Sequence, residues 1–222
     1  MSAGLSAVVE GLPYILGGVW VTLTVVAGAL AMGLVLGTGF AIAHVYGSRL
    51  VRSVTGVYVW FFRGVPLLVL LFLFYFGLLD ALHIDLSPFI VSIVVLGLIS
   101  SAYQSQILRG AILSLPEGQL KAARAIGMSD TKAIAYIILP QAFRLAIPAW
   151  ANEYTIIMKN SAVTYALGVA EIMARANHVA ARTYQHFWLY LLAGFIFLGL
   201  TYAGTKCLSM LQKKVAIKGY AR

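Results

Sequence analysis

The stretch Gly11–Ser48, GLPYILGGVWVTLTVVAGALAMGLVLGTGFAIAHVYGS, contains no Asp, Glu, Lys or Arg. About 20 consecutive apolar residues suffice for a helix to cross the hydrocarbon core of a bilayer. This run alone therefore makes the chain an integral membrane protein. It is too long for the apolar core of a signal peptide, and Met1–Pro13 carries Glu10 but no Lys or Arg, so the first helix is expected to be retained.

Working outward, the rest of the chain has the same character. Of its 222 residues 61% are hydrophobic and 10% charged, and the mean hydropathy is +0.91. Charge this sparse cannot build a water-soluble surface, which excludes a cytosolic enzyme, a secreted domain and a disordered tail. Five spans are expected. The first lies within Tyr14–Ala43. The second is Thr55–Leu79, interrupted by Arg63 and Pro66, and the third is Ser87–Leu108. The fourth runs roughly over Ala142–Gly168 and is the most polar, and the fifth is Phe187–Met210. Segments of this length indicate helices rather than the ten-residue alternating strands of a membrane barrel.

The sign and placement of charge give the orientation. The chain has 16 Lys+Arg against 7 Asp+Glu. Arg49 and Arg52 lie between spans 1 and 2. Arg109, Lys121, Arg124 and Lys132 lie between spans 3 and 4 with Arg144 at the start of span 4, and Lys206, Lys213, Lys214, Lys218 and Arg222 lie at the end of span 5 or beyond it. With five spans these fall on one side, and only Arg175 and Arg182 fall on the other. Cytoplasmic loops collect Lys and Arg, so the N-terminus is expected outside and the C-terminus inside. An even number of spans would put the basic tail outside. The net charge of +9 is thus an orientation signal rather than a nucleic-acid signal. Cys207 is the sole cysteine, so neither an internal disulfide nor a cysteine metal site is expected, and the four histidines show no ligand spacing.

One polar segment is expected in the cytoplasm. Residues Arg109–Leu139 are too polar to span a membrane. Ser114-Leu115-Pro116-Glu117 reads as a helix start, with Pro suited to the first turn and Glu to the positive end of the helix dipole. That helix is expected to run to about Ile126, with Glu117 and Lys121 paired one turn apart. Gly127 stands where a left-handed residue closes a helix. Ser129 or Asp130 can cap a second helix, Thr131–Ile138, ended by Pro140. A helix–turn–helix held between two spans suits docking of a cytoplasmic partner better than binding of DNA.

These residues also carry a family resemblance. Ser101-Ala102-Tyr103, Arg109-Gly110-Ala111-Ile112, Leu115-Pro116-Glu117-Gly118-Gln119, Lys121-Ala122-Ala123-Arg124-Ala125-Ile126-Gly127 and Ile138-Leu139-Pro140-Gln141-Ala142 together resemble the cytoplasmic signature of ABC-importer permeases. Arg63-Gly64-Val65-Pro66-Leu67, Asn152-Glu153 and Gly168-Val169-Ala170-Glu171 resemble the polar amino-acid branch, of histidine, arginine or glutamine type. The resemblance covers nearly the whole chain. It implies one transmembrane permease domain over 1–222 with a type I importer fold, and an ATPase-docking (coupling) segment within it over 114–140. The implied coupling residues are Glu117, Lys121, Ala122, Ala123, Gly127, Ser129 and Asp130. The implied partners are a second permease chain, identical or related, two ABC ATPase subunits at the cytoplasmic face, and an extracellular or periplasmic substrate-binding protein. ATP and Mg are implied on the partner ATPase and no cofactor in this chain, and the expected place is the cell inner membrane in contact with its lipid. Two positions depart from the pattern. Lys121 stands where the branch usually has Glu, and Gln106 where it commonly has Glu.

Ionisable groups inside spans mark a functional site or a pairing. Span 4 holds Asn152, Glu153, Lys159, Asn160 and Ser161. Starting near Ala142, Glu153 lies about 16 Å along the helix, close to mid-membrane, and it shares a face with Asn160. Two readings stand side by side: Glu153 faces the substrate path, or it neutralises Lys159, Arg63 or a partner residue. As a path residue it favours cationic or neutral amino acids over acidic ones. The candidate path is Glu153, Asn160, Asn152, Ser101 and Gln104. Arg63 is expected to bond carbonyls freed by the Gly64–Pro66 break or to reach for the inner interface. The outer segment Val169–His186, with Glu171, Arg175 and Arg182 at near-helical spacing, reads as an interfacial helix or a contact for the binding protein.

Gly199 to Gly204-Thr205-Lys206 mimics a phosphate-binding loop, but its order is Thr-Lys and it lies in an apolar span. No protease or esterase motif is present, so the chain is not expected to be an enzyme. A stand-alone secondary transporter or channel for small polar solutes is the alternative. Such transporters commonly show duplicated halves, and none is visible here.

Overall fold

The structure is a computed structural model that describes residues 2–215; Lys218 and Arg222 of the basic tail lie outside the described residues. Among the described residues all regular structure is helical. Four helices are long and apolar enough to cross a membrane, and a bent pair makes a fifth span if counted as one.

Helix α1 spans Ser2–Tyr46 and carries Pro13 in its interior rather than at its start. Val8 packs onto the cluster formed with the last two helices, which holds the turns before the proline helical. At 1.5 Å per residue α1 is about 67 Å long, more than twice the hydrocarbon thickness, so it crosses at a tilt or extends beyond the bilayer. The expected second span is two helices, α2 (Arg49–Gly64) and α3 (Leu67–Phe72), the latter continuing as a wide π-turn stretch over Leu73–Leu79. They meet at 106°. Pro66 disfavours helical backbone in the residue before it, and Val65 is extended at φ −88° and ψ 132°.

Helix α4 (Pro88–Leu113) is capped by Ser87, whose hydroxyl accepts from the Ile90 N–H, and lies along α1 over much of its length. The polar segment folds as a helical hairpin. Helix α5 (Gly118–Ala125) ends at Gly127, left-handed at φ +82°. Helix α6 (Asp130–Ala133) starts under a Ser129 cap that accepts from the Lys132 N–H. Pro140 does not stop this second helix as expected. A π-turn stretch over Ile134–Ile138 leads into α7 (Leu139–Ser161), and Pro140 sits in the first turn of α7. A proline is tolerated there because its missing N–H falls where helical pairing restarts. Six residues of 3-10 helix (Ala162–Leu167) and left-handed Gly168 close this element. Helix α8 (Ile172–Thr183) and helix α9 (His186–Val215) complete the chain.

Three clusters stack along α1. Ile15 joins Ile172, Ala176, Leu189 and Ala193 at the end bearing α8. Val25, Val26 and Ala29 join Leu96, Ile157 and Met158 in the middle. Ala41 joins Leu108, Ile112, Leu115, Ile138 and Ala142 at the end bearing the α5–α6 hairpin. A fourth cluster joins α2 and α3 to α4 through Phe62, Leu70, Leu71, Val95 and Ile99. The Gly33/Gly37 pair of α1 is used for packing within the chain: a Cβ on Gly33 would stand 2.6 Å from Gln104 Nε2 and 2.7 Å from Ser100 Oγ.

Candidate substrate path and partner-docking surface

The middle of the bundle holds a buried polar chain. Glu153 on α7 is 1% exposed, and its Oε1 accepts from Ser100 Oγ on α4 at 2.7 Å. Ser100 Oγ accepts in turn from Gln104 Nε2 at 3.0 Å, and the same nitrogen donates to the Leu30 carbonyl of α1 at 3.0 Å. Burial of a carboxylate in an apolar bundle is tolerable only with such hydrogen bonds. Ser100 is the sequence neighbour of the candidate Ser101, and its direct bond to Glu153 depends on how α4 and α7 are set against each other.

The other candidate path residues are not all gathered here. Ser101 is buried and faces α2, where its hydroxyl meets Tyr58 Oη at 2.6 Å. Asn152 is exposed and Asn160 half-buried on α7. The structure pairs Glu153 with neither Lys159 nor Arg63: the one ion pair among the described residues joins Arg124 to Asp130. Arg63 does not take the first of its two expected roles. Its guanidinium lies 4.8 Å over the Tyr103 ring, a cation–π contact, instead of on the freed carbonyls of the α2–α3 break.

At the hairpin, Glu117, Lys121, Ala122, Gly127, Ser129 and Asp130 are exposed, and Ala123 is buried beneath them. The expected Glu117–Lys121 pair does not form; Arg124 instead holds Asp130 through two hydrogen bonds of 2.7 and 2.8 Å. Two features here were not singled out from sequence. Ile126, at the hairpin tip, is 77% exposed. Gln119 on α5 and Gln141 on α7 exchange reciprocal amide hydrogen bonds of 3.0 and 2.8 Å, tying the hairpin to the helix that carries Glu153.

At the opposite end Glu171 caps α8, accepting from the Met173 and Ala174 N–H groups at 2.8 and 2.6 Å. Burial pushes its carboxyl up to about 7, against the pull of those two N–H groups. Arg175 donates to the carbonyls of Ala170 and Tyr14, so α8 is locked to α1.

This arrangement defines a membrane-embedded helical subunit with a polar hairpin at one end. Residues 29–216 match the family of binding-protein-dependent transport system inner membrane components, and the chain belongs to that family. It is therefore a multi-pass component of an inner-membrane transport system. It is 34% identical to the arginine transport system permease protein ArtQ of Bacillus subtilis, over 89% of this chain and 90% of that one. It is 31% identical to the nopaline transport system permease protein NocM of Agrobacterium fabrum, over 94% and 90%. Its fold resembles a chain in the crystal structure of an amino acid ABC transporter with histidines, at a TM-score of 0.82 and 30% identity, covering 93% of this chain and 96% of that one. The MetNI methionine ABC transporter in an inward-facing conformation shares the fold at a TM-score of 0.79 and 18% identity, over 92% and 97% of the two chains.

Proposed function

We propose that the chain is the membrane-spanning subunit of an ATP-driven importer for polar amino acids, cationic or neutral, working by alternating access. The observation that carries this reading is the family match over residues 29–216, together with relatives named for arginine, nopaline and L-cystine transport. A stand-alone transporter has no comparable support.

Residues 1–222 act as one permease domain with its N-terminus outside and its C-terminus inside. Two such chains, identical or related, flank the path. A substrate-binding protein delivers the amino acid from outside. Residues 114–140 dock on an ATPase subunit, which binds ATP and Mg; this chain holds neither. Glu117, Lys121, Ala122, Gly127, Ser129 and Asp130 supply the polar docking rim over Ala123, and Ile126 its apolar point. The Gln119–Gln141 pair passes motion of the docked hairpin to α7. Rigid elements linking two sites are what coupling of this kind needs. Along the path, Glu153 accepts hydrogen bonds from the cationic group of the substrate, with Gln104 linked to it through Ser100 and with Asn152, Asn160 and Ser101 as further polar groups at other points of the path.

The test is reconstitution in liposomes with the ATPase and the binding protein. Uptake of amino acid and ATP hydrolysis stimulated by the loaded binding protein should both require all components. Uptake that proceeds without the ATPase overturns the reading.

A further inference from the structure

The amide of Gln104 is committed at both hydrogens. One goes to the Leu30 carbonyl and the other to Ser100 Oγ, each at 3.0 Å. A carbonyl can only accept, so the amide nitrogen, not its oxygen, must stand at this place. Ser100 Oγ already accepts from Gln104, and its single hydrogen points to Glu153 Oε1 at 2.7 Å. Donation therefore runs one way, from Gln104 through Ser100 to the carboxylate. Gln104, Ser100 and Glu153 are 4%, 0% and 1% exposed, so water does not compete for these bonds. Gly33 makes the arrangement possible, because any Cβ there would occupy the space of both donors. Among the described residues Glu153 Oε2 has no hydrogen-bond partner, and Ser100–Glu153 is the one side-chain hydrogen bond between α4 and α7.

We infer that Ser100 and Gln104 are positioning residues for substrate selection: they hold Glu153 by Oε1 and present Oε2 to the ammonium or guanidinium of a cationic amino acid. This rests on the reading of Glu153 as a path carboxylate. A glutamate has three side-chain torsions, and fixing one oxygen through donors in series fixes the other. The anchor lies on α1 and α4, so the carboxylate is tied to the helices that α7 packs against. Glu153 as a whole is 1% exposed, so substrate reaches it when α7 shifts against α4.

The test uses the complete reconstituted importer and measures KM for L-arginine and L-glutamine, two probes that differ in side-chain charge. Variants are Glu153→Gln, Ser100→Ala, Gln104→Leu and the double variant Ser100→Ala/Glu153→Gln. Ser100→Ala and Gln104→Leu should each raise the arginine KM about tenfold, the loss expected for one hydrogen bond to a charged group, and leave the glutamine KM within about twofold. On the Glu153→Gln background, Ser100→Ala should add less than about twofold, since its effect passes through the carboxylate. If Ser100→Ala fails to assemble, Ser100→Cys puts a slightly larger and much weaker donor in the same place and reads the same loss. Equal shifts for both probes, or a full additional effect on the Glu153→Gln background, overturn the inference and make the pair simple helix glue. If Glu153→Gln alone raises the arginine KM while Ser100→Ala and Gln104→Leu do not, the positioning role fails and the carboxylate reading stands. If the parent takes up no arginine, or Glu153→Gln leaves its KM unchanged, both fall.

Discussion

Single residues decide how closely this bundle can pack. A Cβ on Gly18 would stand 2.7 Å from the Ile172 backbone nitrogen and 2.8 Å from the Glu171 carbonyl carbon. Backbone cannot swing aside as a side chain can, so Gly18→Ala must displace the start of α8. It should destabilise the protein by about 1–3 kcal/mol, seen as a lower melting temperature of the detergent-solubilised subunit. Glu171, at the same junction, gives a pH dependence. Its folded-state carboxyl is raised to about 7, so the folded protein binds a proton more tightly than the unfolded chain. The stability this contributes is present below the ordinary carboxylate range of about 4.3 and is lost as pH rises through about 7. Melting temperature should therefore fall between pH 5 and pH 8, and Glu171→Gln should flatten that slope. Neither position was singled out as structural from sequence, because a contact between residues 18 and 172 is set by how α1 meets α8. The special conformation of Gly127, by contrast, was readable locally: it follows a short polar helix opened by Pro116 and Glu117 and stands just before the Ser129 cap of the next.

At the scale of elements, the hairpin and α7 act as one lever. The reciprocal amide pair between Gln119 and Gln141 is half-buried, and Glu153 lies about 18 Å further along α7. Replacing Gln119 by Leu removes both bonds of the joint and leaves Gln141 only its bond to the Ile137 carbonyl, a loss of about 1–3 kcal/mol at the joint. Gln119→Leu should keep the ATPase bound yet lower transport per ATP several-fold, measured as the ratio of uptake to phosphate release. Ile126→Asp should instead weaken ATPase retention during purification, because a carboxylate replaces the exposed apolar point of the hairpin. The elements themselves were largely legible. The hairpin start, its Gly127 turn and its Ser129 cap all follow from short-range rules. Two boundaries were not. Pro140 looked like a stop, but packing of Ile138 and Ala142 against Leu108 and Ile112 carries the helix through it. Pro66 announced a break, but the 106° angle comes from packing of Phe62, Leu70 and Leu71 on α4.

For the whole molecule, orientation is a prediction of charge placement alone. In a Cys207→Ser background, a cysteine replacing Asp85 should react with a membrane-impermeant maleimide added to intact cells. One replacing Lys213 should react only after the membrane is opened; the reverse pattern overturns the assigned sidedness.

The sequence by itself determined that the chain is membrane-embedded, because an uncharged run such as Gly11–Ser48 has no favourable place in water. It also located the apolar segments, the side expected to carry the basic residues, and the position of a polar hairpin, since each depends on composition or on neighbours within one turn. It marked Glu153 as out of place in an apolar helix. Only the tertiary structure decided what Glu153 touches. Leu30, the Ser100–Gln104 turn and Glu153 are far apart along the chain, and their meeting depends on the rotation and depth of three helices whose apolar faces are nearly interchangeable to a bilayer. Close packing, made possible at Gly33, selects one of those arrangements, and the buried hydrogen bonds hold it there.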